Sequence, residues 1–86
     1  MKEPMQPQEG LQQRIRSLRE DSDLTQKTVA DILNITQSTY SDYENGRIHP
    51  PIDVLFRLAD HYQVNLDYLT GRTDKKDMLP ASKHSR

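Results

Sequence analysis

The stretch LTQKTVADILNITQSTYSDYENG, residues 24–46, carries the same helix-start signal twice. Thr25 and Thr36 stand eleven residues apart, and a threonine at the N-cap accepts a hydrogen bond from an orphan backbone N–H of the first turn. Each is bracketed by an apolar pair, Leu24 with Val29 and Ile35 with Tyr40, at the N′ and N4 positions where a hydrophobic staple fixes the angle at which the chain enters the helix. Between them only a tight turn fits, and Asn34 is one of the few non-glycine residues that tolerates the left-handed conformation such a turn needs. Gly46 supplies the stop for the second of the two helices.

Outward from this pair, the apolar residues keep helical spacing and nowhere alternate long enough for a strand. Leu11, Ile15 and Leu18 place a first helix over residues 11–21. Val29, Ile32 and Leu33 form the expected buried stripe of the second helix, and Ala30 lets a neighbour pack close. After Gly46, RIHPP enforces an extended connection, with Pro51 suited to a first helical position. Ile52, Leu55, Leu58, Ala59 and Tyr62 predict a fourth helix, with Asp53 complementing its dipole. Asn65 caps a short fifth helix, where Val64 and Leu69 are a third staple and Gly71 is the stop. The expected fold is all-α: one compact bundle of five helices over residues 11–71. Residues 1–10 are expected as a flexible arm and 72–86 as a polar, disordered tail.

Composition narrows the function classes. At 86 residues the chain holds one domain. It contains no cysteine, which excludes a disulfide framework and thiolate metal sites and fits a reducing cytoplasm. No apolar run approaches the roughly 20 residues a bilayer requires, so no membrane partner is expected. His49, His61 and His84 lack metal-ligand spacing, no phosphate-cradling glycine loop appears, and neither an enzyme nor a cofactor is expected. The net charge of −1 argues mildly against nucleic acid, since many such binders are strongly basic.

That is not decisive, since what matters is where the charges sit and how many phosphates a docked surface meets, and the third helix carries a separate signal. At about 100° per residue, Gln37, Ser38, Ser41, Asp42 and Asn45 fall in one arc, while Thr39, Tyr40, Tyr43 and Glu44 fall opposite. Two aromatic anchors hold the inward side. The outward side offers amides, hydroxyls and one carboxylate on short stems, which lose little rotamer entropy on docking into a groove.

Residues 11–71 resemble the helix-turn-helix DNA-binding domain of the phage Cro and cI repressor family, also called the XRE family. The resemblance rests on RIRSLRE, on LTQKTVADILNITQSTYSDYENGR and on PPIDVLFRLADHYQVNLDYLTG. Leu24, Gln26, Ala30, Ile35, Tyr40, Glu44, Gly46, Pro50, Leu55, Ala59, Val64 and Leu69 stand where that family places similar residues. Asn34 replaces a usual glycine, Thr28 a frequent acidic residue, and Tyr40 a usual valine or isoleucine. The resemblance implies a lambda-repressor-like bundle in which the third helix enters the major groove. Gln37, Ser38, Ser41 and Asp42 would then meet base edges. Gln37 is the foremost reader, since its amide pairs bidentately with adenine, while Asp42 can accept from cytosine N4 but repels phosphate. Gln26 is implied as a phosphate contact beside the positive end of the second helix, with Thr25, Lys27, Asn45 and Arg47 as further backbone contacts. Arg19 is implied as the partner of Glu44, tying the first helix to the third.

Together these readings lead to a sequence-specific regulator of transcription, a repressor that occupies a palindromic double-stranded DNA operator as a homodimer. Leu66, Tyr68 and the residues near Gly71 are the expected dimer contact. The rival reading is a protein-interaction module, or an antitoxin-like accessory regulator, that uses the same fold on a protein partner.

Overall fold

The computed structural model describes residues 7–77, and among these every regular element is helical. The five helices are α1 (Pro7–Asp21), α2 (Gln26–Leu33), α3 (Gln37–Asn45), α4 (Ile52–Tyr62) and α5 (Leu66–Leu69). α1 packs on α3 and α5, α2 packs on α3 and α4, and α4 packs on α5. The α2–α3 pair is thereby backed on one side by α1 and on the other by α4. No helix among the described residues is long and apolar enough to cross a membrane.

The caps form as their side chains dictate. Thr25 accepts from the Thr28 N–H at 3.0 Å, Thr36 from the Thr39 N–H at 3.1 Å and Asn65 from the Tyr68 N–H at 2.7 Å. Asn34 lies in the left-handed region at φ 61°, and Gly46 does so at φ 79°. Each staple contributes one fully buried side chain, Val29, Tyr40 or Leu69. The core joins these to Leu11, Ile15, Leu18, Ala30, Leu33, Tyr43, Val54, Leu58, Ala59 and Val64.

Four details differ from the sequence reading. α1 begins at Pro7, inside the expected arm, because proline is favoured in a helix's first turn; the rest of the arm, residues 1–6, lies outside the described residues. Ile32 is exposed, because it lies beyond the edge of the buried face that Val29, Ala30 and Leu33 form. In α4 the buried stripe runs through Val54, Leu58 and Ala59, with Ile52 left in solvent. The helix starts only after Pro51, which is its N-cap, so Ile52 falls on the outer side of the first turn. Finally, residues 72–77 are fastened to the body. Arg14 donates to the carbonyls of Tyr68 and Thr73, both at 3.1 Å, and to Asp74 at 2.7 Å. Its guanidinium lies 4.1 Å above the Tyr68 ring. Asn65 donates through its side chain to the carbonyls of Lys75 and Asp77. The remainder of the expected tail, residues 78–86, lies outside the described residues.

Candidate nucleic-acid interface

The outward arc of α3 is open. Gln37 and Ser38 are exposed, Ser41 and Asp42 half-exposed, and Asn45 exposed. Behind it Tyr40 and Tyr43 are buried, with ring centroids 6.4 Å apart in an edge-to-face pair. A short helix with a mean polar character would not hold its position by propensity alone. These two rings and one carboxylate hold it.

That carboxylate is Glu44, the one buried charged side chain among the described residues, at 3% exposure. It is compensated from three helices. Arg19 of α1 donates from Nε at 2.7 Å and Nη2 at 3.1 Å, a bidentate fork. Gln26 of α2 donates from Nε2 at 3.1 Å. Tyr40, one turn earlier on α3, donates its hydroxyl at 2.5 Å. Arg16 approaches at 3.5 Å. Burial pushes the Glu44 carboxyl up, but the bonds from Arg19, Tyr40 and Gln26 outweigh it and hold it below its ordinary value of 4.5. The same bond from Glu44 raises Arg19 despite its partial burial. Tyr40 is pushed up, first by burial and then by its bond to Glu44. Tyr62 is pushed up to about 12 by burial and by the Glu44 charge; its buried hydroxyl has no hydrogen-bond partner among the described residues.

The remaining residues expected at the interface have these neighbours. Asp42 lies 3.7 Å from Arg47, which is three-quarters exposed. This loose pair partly neutralises the one charge on the arc. Thr25 is occupied as a cap and shares a 2.9 Å hydrogen bond with the Thr28 hydroxyl. Lys27 is exposed and pairs with Asp31 at 3.3 Å. Gln26 spends one amide N–H on Glu44, leaving its second N–H and the exposed first turn of α2 beside it. Asn45 bridges Arg16 and Ser41, both at 3.3 Å. Three members of this arrangement escape sequence reading: the Tyr40 hydroxyl bond, Arg16 and the role of Asn45. For Tyr40 and Glu44 an i, i+4 spacing was present as a signal. For Arg16 none was, because its partner lies 29 residues away.

Two short helices crossing at a tight turn, the second presenting a polar arc and backed by a buried ion pair, define a helix-turn-helix DNA-binding domain. The chain belongs to the helix-turn-helix family of the XRE type, whose family model matches residues 15–69. It is 42% identical over 65 residues to the uncharacterized HTH-type transcriptional regulator YobD of Bacillus subtilis, covering 76% of this chain and 58% of YobD. It is 36% identical over 65 residues to the transcriptional regulator ImmR of the same organism, covering 76% and 51%. It is 31% identical over 71 residues to the cryptic phage CTXphi transcriptional repressor RstR of Vibrio cholerae, covering 80% and 63%. The chain thus spans about half to three-fifths of the length of these relatives. In fold it is similar to a transcriptional regulator from Listeria innocua, with a TM-score of 0.70 at 24% identity, covering 86% of this chain and 69% of the other.

Proposed function

We propose that this chain reads a palindromic operator in double-stranded DNA as a homodimer and represses transcription by occupying it. The observation that carries the reading is the division of α3. Gln37, Ser38, Ser41 and Asp42 face solvent on a helix locked from behind by Tyr40, Tyr43 and Glu44. Rigid placement of small hydrogen-bonding groups is what direct readout of base edges in the major groove requires. Gln26, Lys27 and Arg47 flank the arc as backbone contacts, helped by the positive end of α2. The assignment to repression draws on RstR, a phage repressor by name, and the setting is the cytoplasm.

The homodimer follows from magnitudes. One nine-residue recognition helix on a chain of net charge −1 makes few phosphate contacts, and two copies on half-sites a helical turn apart roughly double the binding energy. The α5 residues expected at the contact are engaged within the chain: Leu66 packs on the core and Tyr68 lies under Arg14. Ile52 and Phe56, one turn apart on α4, are more than half exposed and offer a second copy an apolar surface.

The test is selection from random duplex DNA at two salt concentrations. Enrichment of a two-fold symmetric motif, with affinity falling as salt rises, is the expected result. Failure to enrich any motif, together with salt-independent binding, overturns the reading in favour of a protein-interaction module.

A further inference from the structure

We propose that Arg16 of α1 fixes Ser41 as a hydrogen-bond donor toward DNA, acting through the Asn45 amide. The proposal rests on the reading of α3 as the base-contacting helix and adds which kind of base edge Ser41 accepts.

The chain of bonds has only one consistent direction. A guanidinium has donors and no acceptor. Arg16 Nη2 stands 3.3 Å from Asn45 Oδ1, so the Asn45 carbonyl must face it, which settles the amide orientation on chemical grounds. The Asn45 NH₂ then points the other way, and Nδ2 lies 3.3 Å from Ser41 Oγ. That group can only donate, so Ser41 Oγ is the acceptor. No acceptor for the Ser41 hydroxyl proton is found among the described residues, although a mid-helix serine commonly returns it to the carbonyl four residues back. Its O–H is left to point outward, on the arc shared with Gln37, Ser38 and Asp42.

Arg16 is held in place for this role. Its Nε lies 3.5 Å from the buried Glu44 carboxylate, while its side chain is 43% exposed. It is therefore a positioning residue without direct contact to a base. Asn45, expected from the sequence at a phosphate, acts in this proposal as the relay.

A serine on its own has both polarities and reads little. With its proton directed outward and one lone pair taken by Asn45, Ser41 favours bases that accept in the major groove, guanine at N7 or O6, adenine at N7 and thymine at O4, over cytosine, whose N4 donor meets only its remaining lone pair. α1 thus tunes specificity from behind the reading helix.

The experiment is motif selection with four proteins, each checked for folding by thermal melting. Ser41→Ala identifies the base position that Ser41 contacts, as the one where preference is lost. Asn45→Asp replaces the NH₂ by a second acceptor oxygen. The new carboxylate still accepts from Arg16 but now also accepts from Ser41, leaving Ser41 with only lone pairs facing out. The expected result is reversal at that one position, from guanine, adenine or thymine toward cytosine, with about a fivefold change in preference in each direction. Arg16→Met frees the Asn45 amide to rotate and should flatten the preference there without changing the position Gln37 reads. Retention of the wild-type preference in both Asn45→Asp and Arg16→Met overturns the relay while leaving DNA reading intact. Absence of any wild-type motif overturns the reading beneath it.

Discussion

Tyr40 shows how one atom alters the chemistry of a helix. Its inward phase is legible from the sequence, and so is its place in the second staple. The use of its hydroxyl is not, because a bond to a carboxylate depends on where Arg19 and Gln26 arrive from other helices. Tyr40→Phe keeps the ring and leaves Glu44 one donor short in a buried site. It should cost about 1.5–3 kcal/mol, the range for a hydrogen bond to a charged group, read from chemical denaturation. The pH dependence has a definite sign. Glu44 is depressed below 4.5 in the folded chain, so its contribution is present above that value and is lost as pH falls through the folded value. Stability should therefore drop on acidification below about 4.5, and Glu44→Gln should be less stable at neutral pH with a shallower acid dependence. An unchanged acid profile in Glu44→Gln would remove Glu44 as its source. On the opposite face, Gln37→Ala should cost about 1–3 kcal/mol and relax preference at one base pair. Uniform weakening on all sequences would show that α3 docks in another register.

Within the elements, the starts of α2, α3 and α5 were readable because an N-cap and a staple act through neighbours in sequence. Terminations were readable only where the side chain announces them. Asn34 and Gly46 do, whereas Gln63, which ends α4 at φ 56°, carries no such mark, and Asp23, at φ 59°, is of a type that tolerates this region but is flanked by nothing that singles it out. Their left-handed backbone is imposed by where the next helix must go. The exposure of Ile32 and Ile52 was hidden for a related reason: periodicity says that a stripe exists, and only the crossing helix decides which edge of it is covered. Gly46 is the sharpest requirement at this scale. A Cβ there would sit 2.5 Å from Gln12 Nε2, the movable end of a side chain, so the backbone conformation carries most of the penalty. Gly46→Ala should cost about 1–2 kcal/mol, measured by urea titration, with base preference retained. A fully stable Gly46→Ala would mean that α3 can end without the left-handed turn.

At the scale of the whole molecule the issue is charge. A chain with net charge −1 can bind DNA only through the local placement of its cations, and the cations near the reading arc are few. Lys27 and Arg47 flank it, each with a carboxylate neighbour, Asp31 or Asp42. Exposed pairs of this kind are worth little and exchange readily for phosphate. If one copy neutralises two or three phosphates, log affinity should fall with log salt at a slope of about −2 to −3 on an isolated half-site. Two copies bound together on a palindrome release twice as many counterions, so the slope there should be about −4 to −6. Titration of the protein against both duplexes over a series of salt concentrations measures this directly. A doubled slope is the signature of two equivalent copies seated on one operator, and it does not depend on knowing which surface joins them. Equal slopes on the two duplexes would mean that a single copy makes the whole electrostatic contact, and the homodimer would have to be abandoned. Asp42→Lys extends the test, since a cation in place of the arc's only carboxylate should steepen both slopes by about 1 per copy while the ratio between them stays near two.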